Sequence, residues 1–156
     1  MASSTRPITV ADLEQVIAID KVSAGSSRRH FFEKRFAAAK RRPNDFIQIG
    51  VVDGKALRGF AIARILRGEF GQKDAIAVID ALGVAPESRE HGLGHRLIDG
   101  LVKSARQQGA HSMQSLVDWK NPDLLRFFNI SRFELGPRLA LERTMTELRE
   151  EVDEES

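Results

Sequence analysis

The sequence contains no cysteine and no tyrosine among its 156 residues. The lack of cysteine excludes a disulfide framework, a thiolate nucleophile, an iron–sulfur cluster and a zinc site with thiolate ligands. The lack of tyrosine means that no phenol can act as a general acid. No apolar run approaches the roughly 20 residues that cross a bilayer, and the N-terminal stretch lacks the apolar core of a signal peptide. We therefore expect a cytoplasmic protein with no membrane partner.

The composition is that of an ordinary folded domain, with 42% hydrophobic and 29% charged residues. The formal net charge is +2, but residues 147–156 hold six acids and one base, which leaves 23 basic against 16 acidic residues in the rest. A basic body favours anionic ligands, whereas a single Trp and the short basic runs argue against nucleic acid. We predict one domain over 1–146 and an acidic C-terminal extension over 147–156.

Apolar residues recur with a helix period in some segments and with a strand period in others. The alternation predicts strands at 8–10, 46–52, 57–65, 75–84, 112–117 and 139–141. The helical spacing predicts helices that open at 11, span 28–42 and 92–108, and start again at 121. Hairpin strands come first and strand–helix alternation later, which predicts a mixed α+β sheet with helices packed on it.

The most informative stretch runs from Leu82 to Leu97, where a buried strand ends, a turn follows, and Gly92 and Gly94 precede a long helix. Backbone N–H groups at a helix N-terminus attract anions, and glycines let an anion approach closely. Arg89 adds a positive charge beside them. The stretch has neither a dinucleotide fingerprint nor a nucleoside-triphosphate loop. From spacing alone, phosphate binding and a plain strand-to-helix turn stay equally open.

Two motifs in this order resemble the GNAT superfamily of acyl-CoA N-acyltransferases. The first is Leu-x-Val-x-Pro-x-x-Arg-x-x-Gly-x-Gly from Leu82 to Gly94, and the second runs from Asn121 to Phe133. The order of predicted elements is also similar to that family over nearly the whole chain. The resemblance implies a GNAT-like α+β fold, in which a central mixed, mostly antiparallel sheet of six to seven strands is flanked by about four helices.

The resemblance also implies a site for acetyl-CoA as co-substrate. The backbone of Leu82, Gly83 and Val84 would bind the pantetheine arm. Arg89 would lie beside the pyrophosphate, which would accept backbone N–H groups from Glu90, His91, Gly92, Leu93, Gly94 and His95. Asn121 would contact the amide region, and Phe128 would lie near the thioester sulfur. Asn121 has a second interpretation as the N-cap of the last helix.

Two positions depart from the family pattern. Phe128 stands where the family usually has the tyrosine that protonates the departing thiolate, and Arg132 stands where it usually has glycine. No other tyrosine can replace the missing one. Without cysteine there is also no acetyl-cysteine intermediate, so we expect direct transfer in a ternary complex. An acyl-CoA-binding sensor with weak or no catalysis is the alternative.

Asp80 is the one charged residue on an otherwise apolar strand, and some family members that acetylate amines carry an acid at this place. It would remove a proton, through water, from the ammonium of the acceptor. The other interpretation is a carboxylate paired with an arginine such as Arg64. The four histidines are spread along the chain without acidic partners at ligand spacing, so we expect no metal.

These observations predict an N-acetyltransferase that passes acetyl from acetyl-CoA to a primary amine of a small molecule or peptide. The loops around 20–30, 66–74 and 134–138 would select the acceptor, and their sequences carry no signature of it. A homodimer is left open.

Overall fold

A computed structural model describes residues 3–68, 71, 73–89, 92–116 and 122–145. Within these ranges the chain forms five strands and four helices in a mixed α+β order, as predicted. The strands are β1 (Ser3–Pro7), β2 (Phe46–Asp53), β3 (Ala56–Leu66), β4 (Ala75–Val84) and β5 (Ala110–Ser115). The helices are α1 (Leu13–Ala24), α2 (Arg29–Arg41), α3 (Leu93–Gln107) and α4 (Pro122–Ile130). In this part of the chain, no helix has the length and apolar character needed to cross a membrane.

The five strands form one sheet in the order β1-β2-β3-β4-β5. The first three pairings are antiparallel, and β4 pairs with β5 in parallel. A parallel neighbour requires a crossover, and α3 supplies it between β4 and β5. The mostly antiparallel mixed sheet is therefore confirmed.

The sheet has a hydrophobic core on each face. In β2, Ile47, Ile49 and Val51 face the core that α3 covers, while Val52 faces the core under α1 and α2. This alternation is what the period of two predicts for a strand buried on both sides. The two helical layers hold the sheet between them and leave the carboxyl end of β4 accessible from the turn before α3.

Two of the predicted strands are wrong. The stretch 8–10 is not a strand, because β1 lies earlier, on the polar residues 3–7, and Ile8 is a buried core residue just beyond it. Leu139 and Leu141 are 88% and 90% exposed in a segment without regular structure. Nothing in the described ranges pairs with that segment, so its apolar pattern has no ladder to join. The sheet therefore has five strands in the described residues rather than six or seven, and the acidic extension lies outside them.

An ion pair fastens β1 to the start of α1. The Arg6 guanidinium donates to both carboxylate oxygens of Asp12, at 3.0 and 2.8 Å, and Asp12 also accepts the backbone N–H of Thr9 at 3.0 Å. Hydrogen bonds from Arg6 hold the pKa of the buried Asp12 carboxyl below its ordinary value. From α3, Arg96 donates to Ser3 and fastens the other end of β1. The polar edge strand is therefore held by side chains at both ends.

The Asp12 pair predicts a stability contribution that depends on pH. A carboxyl whose pKa is lowered by folding stabilises the protein above its unfolded pKa and loses that contribution as the pH falls through its folded pKa. Asp12→Asn should therefore lower the melting temperature by about 3 °C near pH 7, or on the order of 1 kcal/mol. The difference from wild type should shrink at about pH 2.5.

Thermal unfolding followed by circular dichroism at both pH values measures this difference. The matched control is Asp99→Asn, because Asp99 is exposed on α3 and has no ion pair within the described residues. A difference that is the same at both pH values would contradict the assignment.

Candidate functional site

The site begins at an irregularity in β4. Along the β3–β4 ladder, Ile62 faces Ala81 while Ala63 faces Ile79, so Asp80 is an extra residue without a partner on β3. A bulge of this kind bends the strand and turns a side chain to a new direction. Ile79 packs in the α3 core and Ala81 packs in the core under α1 and α2. The bulge therefore shifts by one residue the alternation between side chains that face α3 and side chains that face α1 and α2.

The same irregularity marks the point where β4 loses its other neighbour. The parallel ladder with β5 runs from Ala75 to Ile79 and stops there. Beyond Ile79, β4 pairs only with β3 in the part of the chain that the structure describes. Among the described residues, the last part of β4 therefore has one edge paired with β3 and one edge without a ladder, which we call the open edge.

The direction of the backbone N–H and C=O groups decides which residues present hydrogen-bonding groups at the open edge. Ala85 donates its N–H to the carbonyl of Arg58 at 2.8 Å, on the β3 side. Groups alternate along an antiparallel strand, so Val84 and Leu82 direct theirs away from β3 and Gly83 directs its own toward β3. Leu82 and Val84 thus have the geometry predicted for binding an extended amide chain, and Gly83 does not.

Gly83 has a packing reason instead. A Cβ at this position would lie 2.7 Å from Cε1 of Phe60 and 3.2 Å from Cγ2 of Ile19. Both neighbours belong to the core under α1 and α2. Gly83 lets α1 approach the end of β4 closely, and its role in the site is to bring these elements together.

The N-terminus of α3 follows the turn after β4. Gly92 adopts a left-handed conformation with φ of 74°, which suits glycine, and no side chain caps the helix. The first N–H that returns to the turn is that of Arg96, which donates to the Gly92 carbonyl at 3.2 Å. The N–H groups of Leu93, Gly94 and His95 therefore have no intrahelical acceptor.

This helix start is suited to an anion. The first turn of α3 contains no acidic residue, so no carboxylate within it opposes the partial positive charge of the helix terminus. Free N–H groups together with that charge form an anion site. Of the residues predicted here, Gly92, Leu93, Gly94 and His95 lie where expected, and Glu90 and His91 lie outside the described residues.

Arg89 bridges the turn rather than extending freely. Its Nε lies 3.4 Å from the carbonyl oxygen of Val84, and its terminal nitrogen donates to the hydroxyl of Ser23 at 3.1 Å. Ser23 lies at the end of α1, so the arginine connects α1 to the carboxyl end of β4. Its positive charge lies beside the open edge, where it covers one of the carbonyls assigned to the cofactor, and its predicted place beside the pyrophosphate stays a prediction.

Helix α4 packs against the start of α3. A Cβ on Gly94 would come within 2.9 Å of the Phe127 ring, and the His95 ring lies 5.1 Å from the same ring. Ser131 Oγ is also 3.1 Å from His95 Nδ1. These contacts join elements that are 36 residues apart, and no motif in the sequence pointed to them. Asn121, the residue before α4, lies outside the described residues.

Phe128 is buried in the α3 core. Its ring is 6% exposed and packs edge-on against Phe127 at 5.5 Å and Phe133 at 4.9 Å. It offers no polar group for proton transfer. The predicted contact with the thioester sulfur would use only the small exposed part of the ring.

Asp80 is paired with two arginines. Its Oδ1 accepts from Nε of Arg64 at 2.8 Å, and its Oδ2 lies 3.1 Å from Nε of Arg35 on α2. The Asp80 side chain is 8% exposed. The pairing with Arg64 matches one of the two interpretations of this carboxylate, and Arg35 is an additional partner that sequence reasoning missed. Among the many basic residues of α2, only the fold singles out Arg35.

No group of three or more potential metal ligands comes together within the described ranges. The prediction that no metal takes part is not tested by this observation and stays a prediction.

Comparisons with known proteins identify the family and the fold. Residues 12–130 match the model of the acetyltransferase (GNAT) family. A transcriptional regulator from Bacillus halodurans C-125 has 22% identity and a TM-score of 0.77, with 92% of this chain and 100% of that chain covered. The aminoglycoside acetyltransferase AAC(6')-Iy, in complex with a CoA bisubstrate analogue, has 16% identity and a TM-score of 0.79, with 92% and 99% covered.

A third solved structure is the glucosamine-6-phosphate N-acetyltransferase from Arabidopsis thaliana. It has 11% identity and a TM-score of 0.71, with 93% of this chain and 99% of that chain covered. These likenesses show the fold. A search of curated protein sequences gives no match.

The contact between Gly94 and Phe127 predicts a reversal of the usual effect of alanine in a helix. Gly→Ala in a helix stabilises by up to about 1 kcal/mol when space allows. Here the methyl group would meet the rigid Phe127 ring at 2.9 Å, so Gly94→Ala should instead destabilise, by about 1–3 kcal/mol. In a Phe127→Leu background the same change should be neutral or stabilising.

Thermal or urea unfolding of the wild type, both single variants and the double variant measures this coupling. If Gly94→Ala raised the stability of the otherwise wild-type protein, α4 would not pack on the start of α3 as described.

Proposed function

Because this chain belongs to the acetyltransferase (GNAT) family, we propose that it transfers acetyl from acetyl-CoA directly to a primary amine. The acceptor ammonium first loses a proton to solvent or a base. The neutral amine nitrogen then bonds to the acetyl carbonyl carbon, the bond from that carbon to the CoA sulfur breaks, and the departing thiolate takes up the second amine proton. We propose the cytoplasm as the compartment, since it keeps the released thiol reduced.

The observation that supports this proposal most is the continuity between the open edge of β4 and the uncapped start of α3. Leu82 and Val84 direct backbone donors and acceptors to the open edge. Residues 85–92 join β4 to α3, where the N–H groups of Leu93, Gly94 and His95 have no intrahelical acceptor. Acetyl-CoA presents two amides and a pyrophosphate in one extended molecule, and these fit the two halves of the site in that order.

The names of solved relatives support both parts of the proposal. AAC(6')-Iy is described in complexes with CoA and with a CoA–acetylneamine bisubstrate analogue. An aminoglycoside acetyltransferase from a soil metagenomic sample is described in complex with sisomicin. Because these chains are under 25% identical to this one, we carry over only the coarse chemistry, an acyl-CoA donor and an amine acceptor.

Transfer without a tyrosine is chemically reasonable. Holding two reactants in the right geometry alone supplies on the order of 7–11 kcal/mol in well-aligned cases. A thiol of pKa about 8.5 is also a tolerable leaving group without a proton donor at hand. We propose that the backbone of β4 and α3 supplies most of the rate acceleration, because it fixes the thioester beside the face of the sheet that α1 and α2 cover.

Asp80 remains our candidate for the general base. It lies at the bulge, two residues before Leu82, on the side of the sheet that α2 covers. Its two oxygens face Arg64 and Arg35, so a water that relays the proton would have to share those lone pairs. The proposal of acetyl transfer does not depend on this role.

A second candidate function is a sensor that binds acyl-CoA without turning it over. The buried Phe128 in the place of the family's tyrosine favours it, because no described side chain offers a replacement phenol. The similar fold of the Bacillus halodurans chain described as a transcriptional regulator is compatible with such a role.

Cofactor binding at the start of α3 predicts opposite effects of one substitution on stability and affinity. An acid in the first turn of a helix is stabilising, because it complements the helix dipole. The same charge would repel a pyrophosphate, so His95→Glu should weaken acetyl-CoA binding by about tenfold or more while the melting temperature holds or rises. His95→Gln is the matched control, since it also loses the contacts with Phe127 and Ser131.

Isothermal titration calorimetry with acetyl-CoA and amide hydrogen exchange measure the effect. In the wild type, acetyl-CoA should protect amides within residues 82–89 and 93–95. Absence of both a heat of binding and protection at millimolar cofactor would reject the proposed site.

Turnover predicts a second result. Mass spectrometry of an amine panel incubated with acetyl-CoA should show acetylated products above the uncatalysed rate, whereas a pure sensor would bind without products. If Asp80 is the base, Asp80→Asn should slow turnover about 10²- to 10⁴-fold, most strongly near neutral pH, where the acceptor is an ammonium.

Asp20→Asn is the control for this test. Asp20 is buried and paired with Arg28 at 2.8 Å, and it lies on α1 rather than on β4. It reproduces the loss of a buried ion pair without touching β4. A rate for Asp80→Asn no lower than that of Asp20→Asn would remove Asp80 from proton transfer.

A further inference from the structure

Asp80 holds two arginines of different elements side by side. Arg64 comes from β3 and Arg35 from α2, and each approaches the carboxylate through Nε, at 2.8 and 3.1 Å. The Arg35 guanidinium also lies over the Phe31 ring, with 5.0 Å between its Cζ and the ring centre. We name this group, Arg35, Arg64 and Asp80, the arginine cradle. Its two guanidinium groups are held in place before any ligand arrives.

The terminal nitrogens of the arginine cradle have no side-chain partner among the described residues. A guanidinium has five N–H donors, and Nε accounts for one. Within the described residues neither arginine has an ion pair or side-chain hydrogen bond except with Asp80. The Arg35 and Arg64 side chains are 30% and 35% exposed, whereas Asp80 is 8% exposed. The remaining N–H donors of both guanidinium groups therefore extend toward solvent, while the carboxylate that holds the two side chains is buried.

The buried side of the arginine cradle is itself incompletely bonded. Arg35 Nε and Asp80 Oδ2 are both buried and face each other without the alignment of a hydrogen bond. One carboxylate balances one of the two guanidinium charges, so the cradle keeps a net charge of +1. A single arginine would have been enough to neutralise Asp80, and the second is available to a ligand.

The surroundings extend this positive charge. Arg64 also lines a cavity of about 430 Å³ between the end of α2 and β3, together with Arg41 and Arg42. The carboxylate in that wall, Asp45, is paired with Arg67 at 2.9 Å and also lies 3.9 Å from Arg42. The cavity has room for the body of a small molecule, and its charge favours an anionic one.

The position of the arginine cradle connects it to the proposed reaction. Asp80 precedes Leu82 by two residues, which along a strand is about 7 Å. An anion held by Arg35 and Arg64 would therefore lie within one small molecule's length of the strand proposed to hold the pantetheine arm.

We propose that the acceptor is an amine that also carries an oxyanion, a carboxylate or a phosphate, and that Arg35 and Arg64 bind this group. Guanidinium forks match carboxylate and phosphate oxygens in pairs, and such charge-assisted hydrogen bonds are stronger than neutral ones. Asp80 acts here as a positioning residue, because it orients both arginines through Nε. This inference rests on the proposed acetyl transfer and narrows its substrate class.

The test compares acceptors that differ only in the second group: butylamine, γ-aminobutyrate and aminopropylphosphonate. In the wild type, kcat/KM for at least one of the two anionic amines should exceed that for butylamine by about tenfold or more. The carboxylate and phosphonate arms tell which oxyanion is preferred. Arg35→Gln and Arg64→Gln should each reduce this preference, the ratio of the two kcat/KM values, to near one.

Lys34→Gln is the matched control, because Lys34 is exposed on the same helix and its loss changes the net charge equally. It should keep the preference. Equal kcat/KM values for all three amines in the wild type would contradict the proposed oxyanion site, and so would a preference that is unchanged in both arginine variants. Either result would leave the proposal of acetyl transfer intact.

A binding measurement keeps the inference testable when no amine is acetylated, an outcome that would contradict the proposed function. Calorimetric titration with aminopropylphosphonate should then show binding by the wild type and by Lys34→Gln. About tenfold weaker binding by Arg64→Gln would support the arginine cradle as an oxyanion site. If the wild type did not bind aminopropylphosphonate, the proposed oxyanion site would be contradicted together with the proposed function.

Discussion

The end of the β4–β5 ladder at Ile79 is the constraint on which the rest of the site depends. Up to Ile79 both edges of β4 are paired, and beyond it the described residues leave an open edge beside the turn that leads to α3. The bulge at Asp80 lies at that point and shifts the facing of every later residue of β4. Gly83 then lets α1 come close to the same strand, so the open edge has a helix beside it.

The parts of the site made of backbone could be predicted from the sequence. Leu82 and Val84 lie at the end of β4, and the N–H groups after Gly92 lie at the start of α3. The turn that joins them is determined by local residues. Contacts between distant elements could not be predicted in this way. Arg35 and Asp80 pair across two layers, and His95 meets Ser131 only because α4 folds back onto α3. Nothing local to these residues encodes their partners.

The errors in the strand predictions have a related cause. Apolar alternation predicts strands that bury a face, and β1 buries little: it is a polar edge strand held by Arg6, Asp12 and Arg96. Leu139 and Leu141 show the reverse case, since they have the alternation without a neighbouring edge in the described residues. Ladder partners, rather than side-chain pattern, decide strand formation at the borders of a sheet.

Asp80 connects the two halves of this account. As an anchor it needs both of its oxygens on guanidinium groups, whereas as a base it needs one of them for a water or an amine. The observed pairs with Arg64 and Arg35 favour the anchor in the absence of substrate. The rate acceleration would then come mainly from the placement of the thioester and the amine, and the positive charge of the two arginines would select the amine.

The most direct measurement is a crystal structure of the protein grown with CoA. The account predicts hydrogen bonds from the pantetheine amides to the backbone of Leu82 and Val84, with the pyrophosphate on the N–H groups of Leu93, Gly94 and His95. The thiol would then point toward the α2 side of the bulge at Asp80. CoA bound elsewhere, or a pantetheine arm that makes no contact with the open edge of β4, would contradict it.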